Sequence, residues 1–272
     1  MLKTGMNMTM TSSYDMLLVV LSIVVAIVAS YTALNLAGRV TAAQGSSRVA
    51  WLLGGATAMG IGIWSMHFIA MLAFSLPVPI SYNMGITFLS MVAGIIASAI
   101  ALFIVSRSSM GVLQLTLGGV LMGAGIGTMH YTGMAAVQVD AAVSYDPVFF
   151  VLSVIIAVVV SIVALWLAFH LRNETGTVGM LQKGISAFVM GGAIVGLHYT
   201  AMMASNFMPT ATSSAVPAVA KAGMDNSWLA WVIGISTFVI LGLALISSLI
   251  SQRMTGGQPM AVGVPKGVGT AR

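Results

Sequence analysis

The sequence predicts an all-α polytopic membrane protein of seven transmembrane helices, built from three helical-hairpin repeats plus one helix. Three observations predict it. Charged residues make up only 6% of the 272 and mean hydropathy is +1.05, whereas a water-soluble domain carries about 25% charge. Apolar stretches long enough to cross a bilayer, about 20 residues each, recur seven times. One short motif returns on every second stretch.

The spans lie near Tyr14–Leu36, Val49–Phe74, Tyr82–Val105, Gly111–Val137, Val148–Phe169, Gly184–Phe207 and Trp228–Ile250. All seven prolines (Pro77, Pro79, Pro147, Pro209, Pro217, Pro259 and Pro265) fall in the breaks, as intact helices require. Residues 1–13 form a Met-rich outer tail, residues 14–252 the membrane domain, and residues 253–272 a Gly- and Pro-containing tail without periodicity, read as disordered. The first span is longer than a signal-peptide core, and its positive charge, Arg39, follows it, so it is read as a retained helix.

Orientation follows from Lys and Arg. Arg39, Arg48, Arg107, Arg172, Lys183, Arg253, Lys266 and Arg272 share one side; Lys3 and Lys221 take the other, with Asp15, Asp140, Asp146 and Asp225. By the positive-inside rule the amino terminus is outside and the carboxyl terminus cytoplasmic. The net charge of +5 is thus an insertion signal, and no nucleic-acid partner is expected. No carboxylate, Lys or Arg is expected within the hydrocarbon of any span. Cysteine is absent, which removes disulfides, thiolate zinc sites, iron–sulfur clusters and thiol nucleophiles.

The repeated motif is Met66-His67-Phe68-Ile69-Ala70-Met71 in span two, Met129-His130-Tyr131-Thr132-Gly133-Met134 in span four and Leu197-His198-Tyr199-Thr200-Ala201-Met202 in span six. A glycine stands seven positions before each histidine, at Gly60, Gly123 and Gly191. The even spans run the same way, and each histidine sits late in its span. At about 1.5 Å per residue the three imidazoles therefore reach a similar depth in the outer half. Each histidine shares a helix face with the methionine four residues on, and nearby glycines let helices close in. His170 falls outside the motif and reads as interfacial.

Three imidazoles with three thioethers, Met71, Met134 and Met202, form a soft, neutral ligand set. Magnesium, calcium and manganese prefer oxygen. Zinc accepts histidine but gains little from thioether. Copper, above all Cu(I), suits the set best, and its single charge eases burial. Haem, which takes His/His or His/Met pairs, is the alternative. Of the 22 methionines, Met6, Met8 and Met10 alternate in the outer tail, a spacing suited to copper capture. Span seven lacks the lysine that retinal would need.

Met129-His130-Tyr131-Thr132, with its near copies at Leu197-His198-Tyr199-Thr200 and Met66-His67-Phe68-Ile69, resembles the MHYT domain family of bacterial membrane proteins from about Tyr14 to Ile250. The resemblance implies seven helices in the bacterial cytoplasmic membrane, a copper site made by the motif His and Met residues, and sensing of O2, CO or NO. Tyr131 and Tyr199 are expected to line the ligand pocket. Family members are often joined to diguanylate cyclase, phosphodiesterase, kinase or DNA-binding outputs. This sequence carries none, so signalling through a partner protein is expected. Copper transport, storage or delivery is the competing reading, and a copper redox enzyme the third.

The topology is open to a direct test. A reporter fused after Arg272 should be active only in the cytoplasm and one placed before Met1 only outside. Both ends reporting from one side would remove the odd number of crossings.

Overall fold

The computed structural model describes residues 9–210 and 227–256, and within them seven helices are long and apolar enough to cross a membrane. α1 (Met16–Ala42) and α2 (Gly45–Ala73) form one hairpin, α3 (Met84–Val105) and α4 (Val112–Ala135) the second, α5 (Pro147–Leu171) and α6 (Gly176–Met203) the third. These six stand in a closed ring, each packed on the next and α6 returning to α1, while α7 (Ser227–Gly256) packs against α1 and α2. Large apolar side chains such as Val92, Leu117, Ile155, Phe188 and Val239 are exposed, as a lipid-facing surface requires. Met6, Met8, Lys221 and the tail beyond residue 256 lie outside the described residues.

The hairpins repeat one construction. At one end a short antiparallel ladder ties the start of each odd helix to the finish of its partner. β1 (Ser13–Tyr14) pairs with β2 (Phe74–Ser75), β3 (Ile80–Tyr82) with β4 (Val137–Val139), and β5 (Ala141–Tyr145) with β6 (Ser205–Pro209). The next residue, Asp15, Asn83 or Asp146, donates its amide to the carbonyl of Ala73, Ala136 or Ala204. Its side-chain oxygen accepts amides of the new helix, Leu17 and Leu18, Ile86, or Val148 and Phe149. Each cap stabilises its helix by roughly 1 kcal/mol.

Helix contacts repeat in the same way. A Cβ on Gly60 would lie 2.5 Å from Cα of Ile95, on Gly123 2.8 Å from Cα of Val158, and on Gly191 3.0 Å from Cα of Ile27. Each even helix therefore touches the backbone of the odd helix in the next hairpin, and the third touches the first. Ser22, Ser90 and Ser153 are buried at equivalent places on the odd helices. The chain is a pseudo-threefold ring with one helix added.

Arginines close the opposite end. The Arg172 guanidinium donates to the carbonyls of Val105, Arg107 and Ser108, at the free end of α3. Arg48 reaches Ser106 of the same turn, and Arg39 ties α1 to Ser251 of α7. Cations here satisfy orphan carbonyls and oppose the negative helix terminus.

Some boundaries differ from those read in the sequence. Val137 and Phe207 belong to strands, not to the helices before them; being β-branched and aromatic, they prolong the apolar run past the helix end. α6 begins at Gly176 rather than Gly184, so Lys183 lies inside a helix and is 2% exposed. Arg39 likewise lies within α1. Arg48, in the first turn of α2, and Arg253, near the end of α7, also lie within helices. The expectation that no cation enters a span helix is therefore corrected for all four: helical hydrogen bonding continues past the apolar stretch at the arginine end.

The glycine contacts predict a graded response. Gly123→Ala should cost about 1–3 kcal/mol, because backbones and not side-chain tips must part. Gly192→Ala, with nothing within 4 Å, should be neutral or stabilising by up to about 1 kcal/mol. Thermal unfolding of the two variants in detergent checks the order.

Candidate metal centre

α2, α4 and α6 alternate with the odd helices round the ring, and the side chains that meet across its interior are His67, His130 and His198. All three are buried, at 1%, 6% and 3% exposure. Nδ1 of His67 lies 3.2 Å from Nδ1 of His130 and 3.2 Å from Nδ1 of His198. One ring nitrogen from each falls within 4.8 Å of the others. The rings meet edge to face, with centroids 4.8, 5.2 and 5.4 Å apart. Nε2 of each histidine is buried without a hydrogen-bond partner.

This geometry fits a shared ion. Two nitrogens bound at about 2.0 Å to one tetrahedral centre lie about 3.3 Å apart, close to the two short separations. Without an ion the rings can make at most the two hydrogen bonds that meet at His67 Nδ1, and three buried Nε2 atoms stay unpaired. Asp15 and Asp146 are helix caps, so among the described residues no carboxylate joins the imidazoles. The ligand set is neutral, which favours an ion of low charge.

Gly133 explains how the rings fit. A Cβ there would collide with Nε2 of His67. The corresponding positions in the other motifs are Ala70 and Ala201, so the glycine answers to His67 alone.

Toward the strand end, Met71, Met134 and Met202 are buried in one cluster with Phe74 and Phe207, against which Met10 and Tyr14 pack. The three motif methionines thus form a thioether layer about one turn, roughly 6 Å, beyond the imidazoles. Met10 is partly buried, and its amide donates to the Phe207 carbonyl at 2.8 Å. A cleft of about 470 Å³, lined by Met10, Tyr14, Tyr199 and Met202 among others, leads into this layer. The layer is uncharged: burial, with Tyr199 alongside, pushes the Tyr14 hydroxyl up to about 12, and burial raises Tyr82 in the same direction.

Tyr131 and Tyr199 flank the triad, with ring centroids 4.9 Å from His130 and 5.1 Å from His198. Their hydroxyls turn to the odd helices. Tyr131 shares a 2.6 Å hydrogen bond with Ser153, and Tyr199 reaches toward Ser22 without closing one. In the first repeat Phe68 has no hydroxyl, and Trp64 of the same helix donates to the equivalent Ser90 at 3.2 Å. His170 is exposed and bonds only the Trp166 carbonyl of its own helix. Sequence reasoning missed the serines and Gly133. Ser90 and Ser153 each follow a motif histidine by 23 residues, an offset that would have found them, whereas Ser22 precedes the first motif and carries no such marker.

Gly133→Ala should displace the His67 ring and lower metal retention while leaving helix content unchanged. Gly127→Ala, on the same helix with nothing within 4 Å, should change neither. Metal analysis with circular dichroism reads both.

A family model described as the N-terminal repeat of bacterial signalling proteins, MHYT, matches residues 4–50, 60–118 and 123–180. The chain is 48% identical over 243 residues to the bifunctional diguanylate cyclase/cyclic di-GMP phosphodiesterase MucR of Pseudomonas aeruginosa, covering 89% of the chain and 35% of the relative. It is 38% identical over 196 residues to the signalling protein YkoW of Bacillus subtilis, 72% of the chain and 24% of the relative. It is 35% identical over 223 residues to the cyclic di-GMP phosphodiesterase NbdA of P. aeruginosa, 82% and 28%. The chain thus spans about a third or less of these relatives. No solved structure matches it. Three matching repeats and these signalling relatives, on a ring of membrane-length helices, place the chain in the MHYT family of membrane signalling sensors.

Proposed function

We propose that this chain is a copper-holding sensor module for a diatomic gas, O2, CO or NO, set in the bacterial cytoplasmic membrane. The observation that carries the reading is the focus of three buried, neutral imidazole nitrogens within 4.8 Å beside a layer of three buried thioethers. His67, His130 and His198 would hold the ion, with Met71, Met134 and Met202 as additional or exchangeable ligands. Cu(I) supplies a soft centre of single positive charge with affinity for small π-accepting molecules. Haem fits less well, since imidazoles packed edge to face at 4.8–5.4 Å leave no plane for a macrocycle.

The chain's own residues would do the rest. The methionine layer and the aromatic rings of Phe74 and Phe207 exclude water. Tyr131 and Tyr199 set the tilt of their neighbouring imidazoles by anchoring to, or leaning on, odd-helix serines. Movement of one imidazole is communicated at once, because His67 contacts both others and Gly133. The output is signalling through a further domain or a partner protein. The cyclase and phosphodiesterase activities named for the relatives make cyclic di-GMP turnover the natural readout.

Copper delivery is the second reading, and one observation favours it: Met10 is seated on the thioether layer beside the cleft, where an ion could be exchanged with the outer side of the expected topology.

Two results decide. His130→Ala should lose most bound copper and His170→Ala none; copper retained by the triple histidine variant would end the assignment. Reduced, copper-loaded wild type should bind carbon monoxide, followed spectroscopically, and exchange of Met10 to Leu should leave that binding intact. Copper without carbon monoxide binding would favour delivery over sensing.

A further inference from the structure

Below the imidazoles, away from the strand end, the pseudo-threefold pattern continues. Four positions before the histidines stand Ile63, Ile126 and Ile194; eight before stand Met59, Met122 and Met190. All six line one cavity of about 40 Å³, closed on its other sides by small residues of α1 and α5. Two of these, Ser30 and Ser161, are buried serines whose hydroxyls have no hydrogen-bond partner. The isoleucine ring lies about 6 Å from the histidine level, and Met66, the residue before His67, also lines the space.

We infer that this cavity is a docking chamber for a diatomic gas, from which the histidine centre is supplied. Size and lining choose the occupant. The volume suits a molecule of two heavy atoms and is far below the roughly 300 Å³ of an organic ligand site. A resident water needs two to four polar partners, and the walls offer only two hydroxyls on different helices. An apolar or weakly accepting diatomic molecule loses nothing on leaving water, can approach either hydroxyl, and partitions into the chamber directly from the membrane. The supply role rests on the gas-sensing reading above; occupancy of the chamber by a small apolar molecule does not.

Xenon is the probe for the chamber, applied under pressure to crystals of the full chain without copper. One anomalous peak is expected between the isoleucine and methionine rings. Ala33→Leu and Ala164→Leu, which grow into the space from α1 and α5 respectively, should each abolish it, and Ile126→Ala, which enlarges the space, should strengthen it. No xenon in the wild-type chamber, or ordered water filling it, overturns the inference. Carbon monoxide recombination after a light flash tests supply in copper-loaded protein. Either filling variant should slow it with copper content unchanged, and an unchanged rate overturns the supply role. If wild type takes copper but binds no carbon monoxide, the gas-sensing reading and the supply role fall together, while the xenon result still decides whether the chamber admits a gas.

Discussion

The arrangement hangs on three places where one helix backbone rests directly on another. Gly60 on Ile95, Gly123 on Val158 and Gly191 on Ile27 fix the distance between successive helices at a value no larger side chain permits. In a bilayer, apolar side chains gain little by leaving lipid for protein, so helices hold together through close fit and internal polar pairing. With the backbones in contact, the ring is narrow enough for histidines from alternate helices to touch across it. It is also tight enough to bury serines on the odd helices. A wider ring would leave three polar side chains facing a void.

The threefold plan is imperfect, and its departures cluster on the first hairpin. α2 is the most enclosed helix, because α7 covers part of it and bonds Ser65 through Thr237 at 2.6 Å. Phe68 stands where the other repeats have tyrosine, and it stacks on Trp64. His67 alone brings its Nδ1 to 3.2 Å from both other histidines, and Gly133 makes room for it. Drift from the consensus motif in this copy reflects a different environment, in which the helix is a hub and its partners are spokes.

Much of this was legible in the sequence. The hydrophobic runs gave seven helices, and the equal depth of His67, His130 and His198 followed from their places late in parallel spans. Their mutual contact was implied by the glycines seven residues earlier. The ladders were not legible, since two to five residues carry no usable alternation and their valines and phenylalanines merge with the preceding apolar run. Lys183 was misjudged because hydropathy marks where a helix meets lipid, not where it ends. The serines escaped notice because a single hydroxyl in an apolar helix is common, and only their shared five-residue spacing to the close-packed Ile27, Ile95 and Val158 marks them as equivalent.

The ring closes between its first and last members, and this has a consequence for biosynthesis. α1 is made first, yet the neighbour it needs on one side, α6, emerges last of the six. His198 follows His67 by 131 positions, and at ribosomal speeds of about 5–20 residues per second the interval is on the order of ten seconds. Each earlier hairpin can be stapled by its own ladder and stored in the membrane as a finished part. The histidine centre has no such partial form: until the sixth helix is threaded and swung against the first, two imidazoles wait in an open arc. The centre is therefore the last part of the ring to take shape, completed only when its two ends meet.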